Sequence, residues 1–88
     1  MATYKVVFKP SVEKDLRPLP KPYLSRIWQK IQDLATNPLP YNSTKLTGAE
    51  NLHRIRVGDY RVVYGIDHES HQVLIHYVRH RREVYRHL

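Results

Sequence analysis

Arg54, Arg56 and Arg61 stand in a stretch, Leu52 to Tyr64, whose residue types alternate on either side of Gly58-Asp59. Successive strand side chains point to opposite faces, so Arg54 and Arg56 share one side with Leu52 while His53, Ile55 and Val57 take the other. With Gly58-Asp59 as a two-residue hairpin loop the register follows: Val57 opposes Tyr60, Arg56 opposes Arg61, Ile55 opposes Val62 and Arg54 opposes Val63. Three arginines then crowd one face. Directly opposed like charges cost a few tenths of a kcal/mol up to roughly 1, unless an anion lies between them. Phosphate recognition is the chemistry such a face supports, because a planar guanidinium holds two oxygens at once. Plain solvated surface is the ordinary alternative.

The histidines offer less. His68 and His71 flank a turn, and His76 and His80 lie four apart on a strand, about 13 Å from each other. A zinc centre needs three or four converging ligands, and the chain has no cysteine, so no metal or other cofactor is expected. His80 closes the last strand beside Arg81, where its imidazole can give or take a proton.

The whole chain has 88 residues, 15 Lys plus Arg against 8 Asp plus Glu, a net charge of +7 and a pI near 9.9. One domain covering 1–88 fits that length. The charge selects nucleic acid, an anionic membrane or an acidic protein as partner. With no apolar run long enough to span a bilayer and no signal-peptide core at its start, the sequence reads as a soluble cytoplasmic protein.

The elements that must position the arginines are legible in turn. Tyr4 to Phe8 is a strand ended by Pro10; Ser11 can cap a helix to about Arg17, with Val12 and Leu16 facing inward. Pro22 suits the first turn of a second helix, and Leu24, Ile27, Trp28, Ile31, Leu34 and Ala35 repeat at helical spacing until Asn37-Pro38. That stripe assigns Trp28 to the core. Lys45-Leu46 forms a brief strand before Gly48. Tyr60 to Asp67 and Gln72 to Arg79 pair antiparallel about Glu69-Ser70, with Asp67 opposite Gln72, Tyr64 opposite Ile75 and Val62 opposite Tyr77. Val62, Tyr64, Ile66, Val73, Ile75 and Tyr77 join Ile55 and Val57 under the helices, while His76, Val78 and His80 join the arginines. The expected fold is α+β: an N-terminal strand, a helical hairpin and a three-stranded antiparallel meander in one sheet, with helices on one face and a short C-terminal helical segment.

The pieces Arg56-x-x-x-Tyr60-Arg61-Val62-Val63-Tyr64 and Val78-Arg79-His80-Arg81-Arg82-Glu83-Val84-Tyr85 resemble the RelE/ParE superfamily of type II toxins. The first is specific to the superfamily, and the closing His80-Arg81 to Tyr85 favours its RelE branch. The resemblance implies a RelE-like fold and an endoribonuclease that enters the ribosomal A site, cuts messenger RNA and is held inactive by a co-expressed antitoxin. It places functional residues at Arg61, Arg81 and Tyr85, with Arg54 and Arg56 where many RelE proteins carry lysine. It further implies that the toxin–antitoxin complex binds operator DNA through the antitoxin.

The chemistry stands beside the resemblance. Cleavage by the RNA's own 2′-hydroxyl needs a proton acceptor, cations against the extra phosphorane charge, and a donor for the leaving 5′-oxygen; neither water nor a metal is required. Arg61 suits charge stabilisation, and Arg54, Arg56 and Lys45 suit RNA binding. Tyr85 can serve as base if its neighbours favour phenolate, since a free phenol has a pKa of about 10. His80 is the better proton donor chemically, whereas the resemblance argues for Arg81. Two other readings remain open: a ParE-like inhibitor of DNA gyrase and a non-catalytic RNA-binding module. An acidic amphipathic antitoxin segment that folds on binding is the expected protein partner.

Overall fold

The computed structural model describes residues 3–46, 48 and 51–80. β1 (Lys5–Phe8) leads into helices α1 (Pro10–Leu16) and α2 (Lys21–Asp33), followed by β2 (Thr44–Lys45), β3 (Leu52–Val57), β4 (Tyr60–Asp67) and β5 (Gln72–His80). The strands form one sheet in the order β1-β5-β4-β3-β2. β1 runs parallel to β5 and the remaining pairs are antiparallel, giving the expected α+β architecture. The C-terminal segment foreseen as helical lies outside the described residues. Among those described, no helix is long and apolar enough to cross a membrane.

Proline placement sets both helix starts. Pro10 does more than end β1: it enters the first turn of α1, with Lys9 as N-cap and no side-chain cap bond, so the Ser11 cap is not used. A proline there loses nothing, because the first helical N–H groups have no partner within the helix. Pro20 is likewise the N-cap of α2, and Pro22 sits in its first turn.

The core lies between the helices and one sheet face. Val12, Ile27, Ile31 and Leu34 pack on Ile55, Val57, Val62, Tyr64, Ile66, Val73, Ile75 and Val78. Tyr64 is fully buried, and its hydroxyl donates to the Pro38 carbonyl at 2.7 Å, tying the irregular connection after α2 to the sheet. Trp28 departs from expectation. It is 49% exposed and stacks on Phe8 with ring centroids 5.6 Å apart. The buried line of α2 runs through Ile27, Ile31 and Leu34, so Trp28 falls on the flank of the stripe, where the sheet ends at β1.

The hairpin has the expected register throughout, with Arg56 opposite Arg61 and Val57 opposite Tyr60. Gly58 has φ +60°, while Asp59 does not enter the left-handed region, a II′-like turn that places glycine at the first central position. The next pair departs from simple alternation. Asp67 opposes Gln72 and Tyr64 opposes Ile75 as expected, but Val63 opposes Tyr77 and Val62 opposes Val78. His76 is the extra residue of a β-bulge, which swaps the faces of everything after it on β5. Val78 and His80 therefore belong to the helix-covered side, and Tyr77 and Arg79 to the arginine side.

Candidate nucleic-acid interface

On the sheet face turned away from the helices, Arg56, Arg61 and Arg79 form a row across β3, β4 and β5, each opposite the next. Arg54 stands one step along β3, opposite Val63. Arg61 is only 7% exposed, whereas Arg56 is exposed and Arg54 half-buried. Arginine forms phosphate contacts best when its planar fork is held in place.

Arg79 is the residue that strict alternation missed. Its guanidinium pairs with the Asp15 carboxylate, lies 5.1 Å from the Tyr77 ring centroid and donates to the Val78 carbonyl at 3.2 Å. Asp15 also accepts from the Val78 backbone N–H at 3.1 Å. One carboxylate from α1 thus closes a backbone donor of β5 beyond the end of β1 and orients a cation of the arginine row. A signal was present in the sequence: unbroken alternation through β5 would put Arg79 on the apolar face, and an arginine there points to a bulge upstream.

Two predicted site residues sit elsewhere. His80 opposes Tyr60 on the helix side, with ring centroids 5.2 Å apart and nearly perpendicular, and lines a cleft with Lys14, Asp15 and Leu19. The bulge is the cause. Lys45 opposes His53 in the β2–β3 pair and so takes the face opposite Arg54; Thr44 is the β2 residue on the arginine side. Arg81 and Tyr85 lie outside the described residues.

Local electrostatics are uneven. Burial is the first cause of a lowered pKa at both His53 and His76, followed by the charges of Lys45 and His68 at the former and of Lys9 at the latter. The Tyr64 hydroxyl is pushed up to about 12, chiefly by burial, with a bond to Ser43 opposing. That phenol is structural.

A sequence profile of the "ParE toxin of type II toxin-antitoxin system, parDE" matches residues 6–85. The chain belongs to the RelE/ParE superfamily of type II toxins. Toxin RelE3 of Methanocaldococcus jannaschii is 33% identical to it over 85 residues, covering 92% of this chain and 94% of that protein. Toxin RelE of Mycobacterium tuberculosis is 33% identical over 84 residues, covering 94% and 87%. In the archaeal RelE–RelB complex from Pyrococcus horikoshii, a matching chain shares 32% identity and a TM-score of 0.80, with 90% of this chain and 96% of that one covered. It is a RelE-type toxin. The α+β fold anticipated from the order of elements, and the family anticipated from Tyr60-Arg61-Val62-Val63-Tyr64 and the closing segment, agree with these likenesses.

Proposed function

We propose that this toxin is a ribosome-dependent endoribonuclease that cuts messenger RNA in the ribosomal A site and is silenced by a cognate acidic antitoxin. The observation that carries the reading is the row Arg56-Arg61-Arg79, with its middle residue buried. A planar guanidinium can hold two phosphate oxygens at once, and a phosphorane carries more negative charge than the phosphate it forms from. Arg61 stabilises that charge. Arg54 and Arg56 hold the flanking RNA backbone, and Arg79, fixed by Asp15, closes the row.

The 2′-hydroxyl attacks the adjacent phosphorus, its proton leaves to a base, and the 5′-oxygen departs with a proton, leaving a 2′,3′-cyclic phosphate. His80 reaches this face only around the sheet end, so the proton roles pass to the closing segment, where family resemblance puts Arg81 and Tyr85. Lys45 acts from the sheet edge through its charge alone. A scaffold with so few proton-transfer groups needs the ribosome to orient the message. Residues 1–88 form one toxin domain that works in the cytoplasm and takes no cofactor. The antitoxin complex binds operator DNA through the antitoxin, as family membership implies.

Gyrase inhibition is the second reading, favoured by the parDE description of the matching family. One experiment separates the two: the purified toxin is added to cell-free translation and to a gyrase–DNA cleavage reaction. Arrested translation with cut messages supports the ribonuclease. Intact messages with trapped gyrase-cleaved DNA would transfer the assignment to gyrase.

A further inference from the structure

Further along the arginine side of β4, beyond Val63, the face opens into a groove of about 400 Å³. Its floor is Gly65, which opposes Leu52 on β3 and Leu74 on β5, so two leucines flank a position without a side chain. A Cβ at Gly65 would stand 3.2 Å from His76 Nε2 and 3.4 Å from the Asn51 carbonyl oxygen. Glycine makes room here for the His76 ring and the Asn51 carbonyl, which line the groove above it, and its backbone conformation demands no glycine for any other reason. Asn51, Gln72 and the bulged His76 form the rim.

We infer that the groove is a pocket for one unpaired nucleobase of the RNA strand whose phosphates lie on the arginine row. The inference rests on the ribonuclease reading and adds a base-reading site to it. Gly65 lies four residues from Arg61 on the same face of β4, about 13 Å away, a short step for a splayed strand. Leu52 is two residues from Arg54, so the phosphate-holding strand β3 leads directly to the groove. Apolar walls accept the faces of a base, while side-chain amides and an imidazole offer donors and acceptors to its edge. The far end favours a base over a phosphate. Asp67 stands there, its carboxylate accepting from the Glu69 and Ser70 amides at 3.0 and 3.1 Å, which keeps it charged and repels phosphate. The lowered pKa of His76 agrees, since a neutral imidazole both stacks and hydrogen-bonds.

The test compares wild type, Gly65→Ala and His76→Ala by mapping 5′ ends of translated messages. A parallel arm follows the Gly65 amide and His76 ring resonances while the free toxin is titrated with a short oligonucleotide carrying 2′-deoxyribose throughout. The expected result is a fall of about tenfold or more in the preference between favoured and disfavoured bases near the cut for either variant, with both resonances moved by the oligonucleotide. His76→Ala keeps the test alive if Gly65→Ala does not fold. Unchanged base preferences in a folded variant, or resonances that move with an acidic peptide but not with the oligonucleotide, would overturn the pocket. If wild type cuts no message, the ribonuclease reading fails, and the resonance arm still decides whether the groove takes a base.

Discussion

In the proposed ribonuclease, single residues divide into those that act on phosphate and those that hold them. Arg61 combines burial with a place in register between Arg56 and Arg79. Tyr64, three positions on, points the other way and is a tether: its 2.7 Å bond to the Pro38 carbonyl anchors the segment after α2. Tyr64→Phe should cost about 1 to 3 kcal/mol, because it leaves a carbonyl without its donor. Denaturant unfolding will read that loss, while message cutting per folded molecule stays at the wild-type level. A much larger fall in activity than in stability would mean that Tyr64 serves the reaction.

At the scale of elements, the β3–β4 hairpin was fully legible and β5 was not. A two-residue loop fixes register, so Gly58-Asp59 determined every pair from Val57-Tyr60 outward. The bulge at His76 carries no turn residue to announce it, and alternation extended through it put Tyr77, Val78 and His80 on the wrong faces. Trp28 was misplaced for a related reason: helical period identifies a stripe but not where the opposing sheet stops. Asp15 has no local signature, since its partners lie some sixty positions away on β5. It makes a prediction specific to this junction. Asp15→Ala should destabilise the protein by about 1 to 3 kcal/mol and weaken RNA cutting by freeing Arg79. Asp15→Asn, able to accept from the Val78 N–H, should restore more of the stability than of the activity. Equal recovery of both would show that Asp15 only holds α1 against the sheet.

Across the whole molecule, charge and protonation set the working range. His53 and His76 are held below their ordinary 6.5, mainly by burial, so the unfolded chain binds more protons than the folded one in the window beneath that value. Stability therefore rises with pH through this window and falls as pH is lowered through it. Asp67 adds a further loss in stronger acid: its carboxyl is held below 3.8, first by the Ser70 backbone amide, so its contribution is present above that value and disappears as pH drops through the folded pKa. Thermal melts from neutral pH to about pH 5 should show a falling midpoint that a double His53→Asn, His76→Asn variant flattens. A midpoint that holds constant or rises on acidification would contradict the burial of these rings.

The central claim is that the buried arginine of the row stabilises charge developing on a message held by the ribosome. Mapping the 5′ ends of messenger RNA in a translation reaction, with wild-type and Arg61→Ala protein and with the same RNA free of ribosomes, tests it most directly. Wild type should produce discrete cuts only on translated message, and Arg61→Ala should slow them by about 10² to 10³, the usual cost of removing such a stabiliser. Efficient cutting of free RNA, or the same cuts at the same rate in Arg61→Ala, would contradict it.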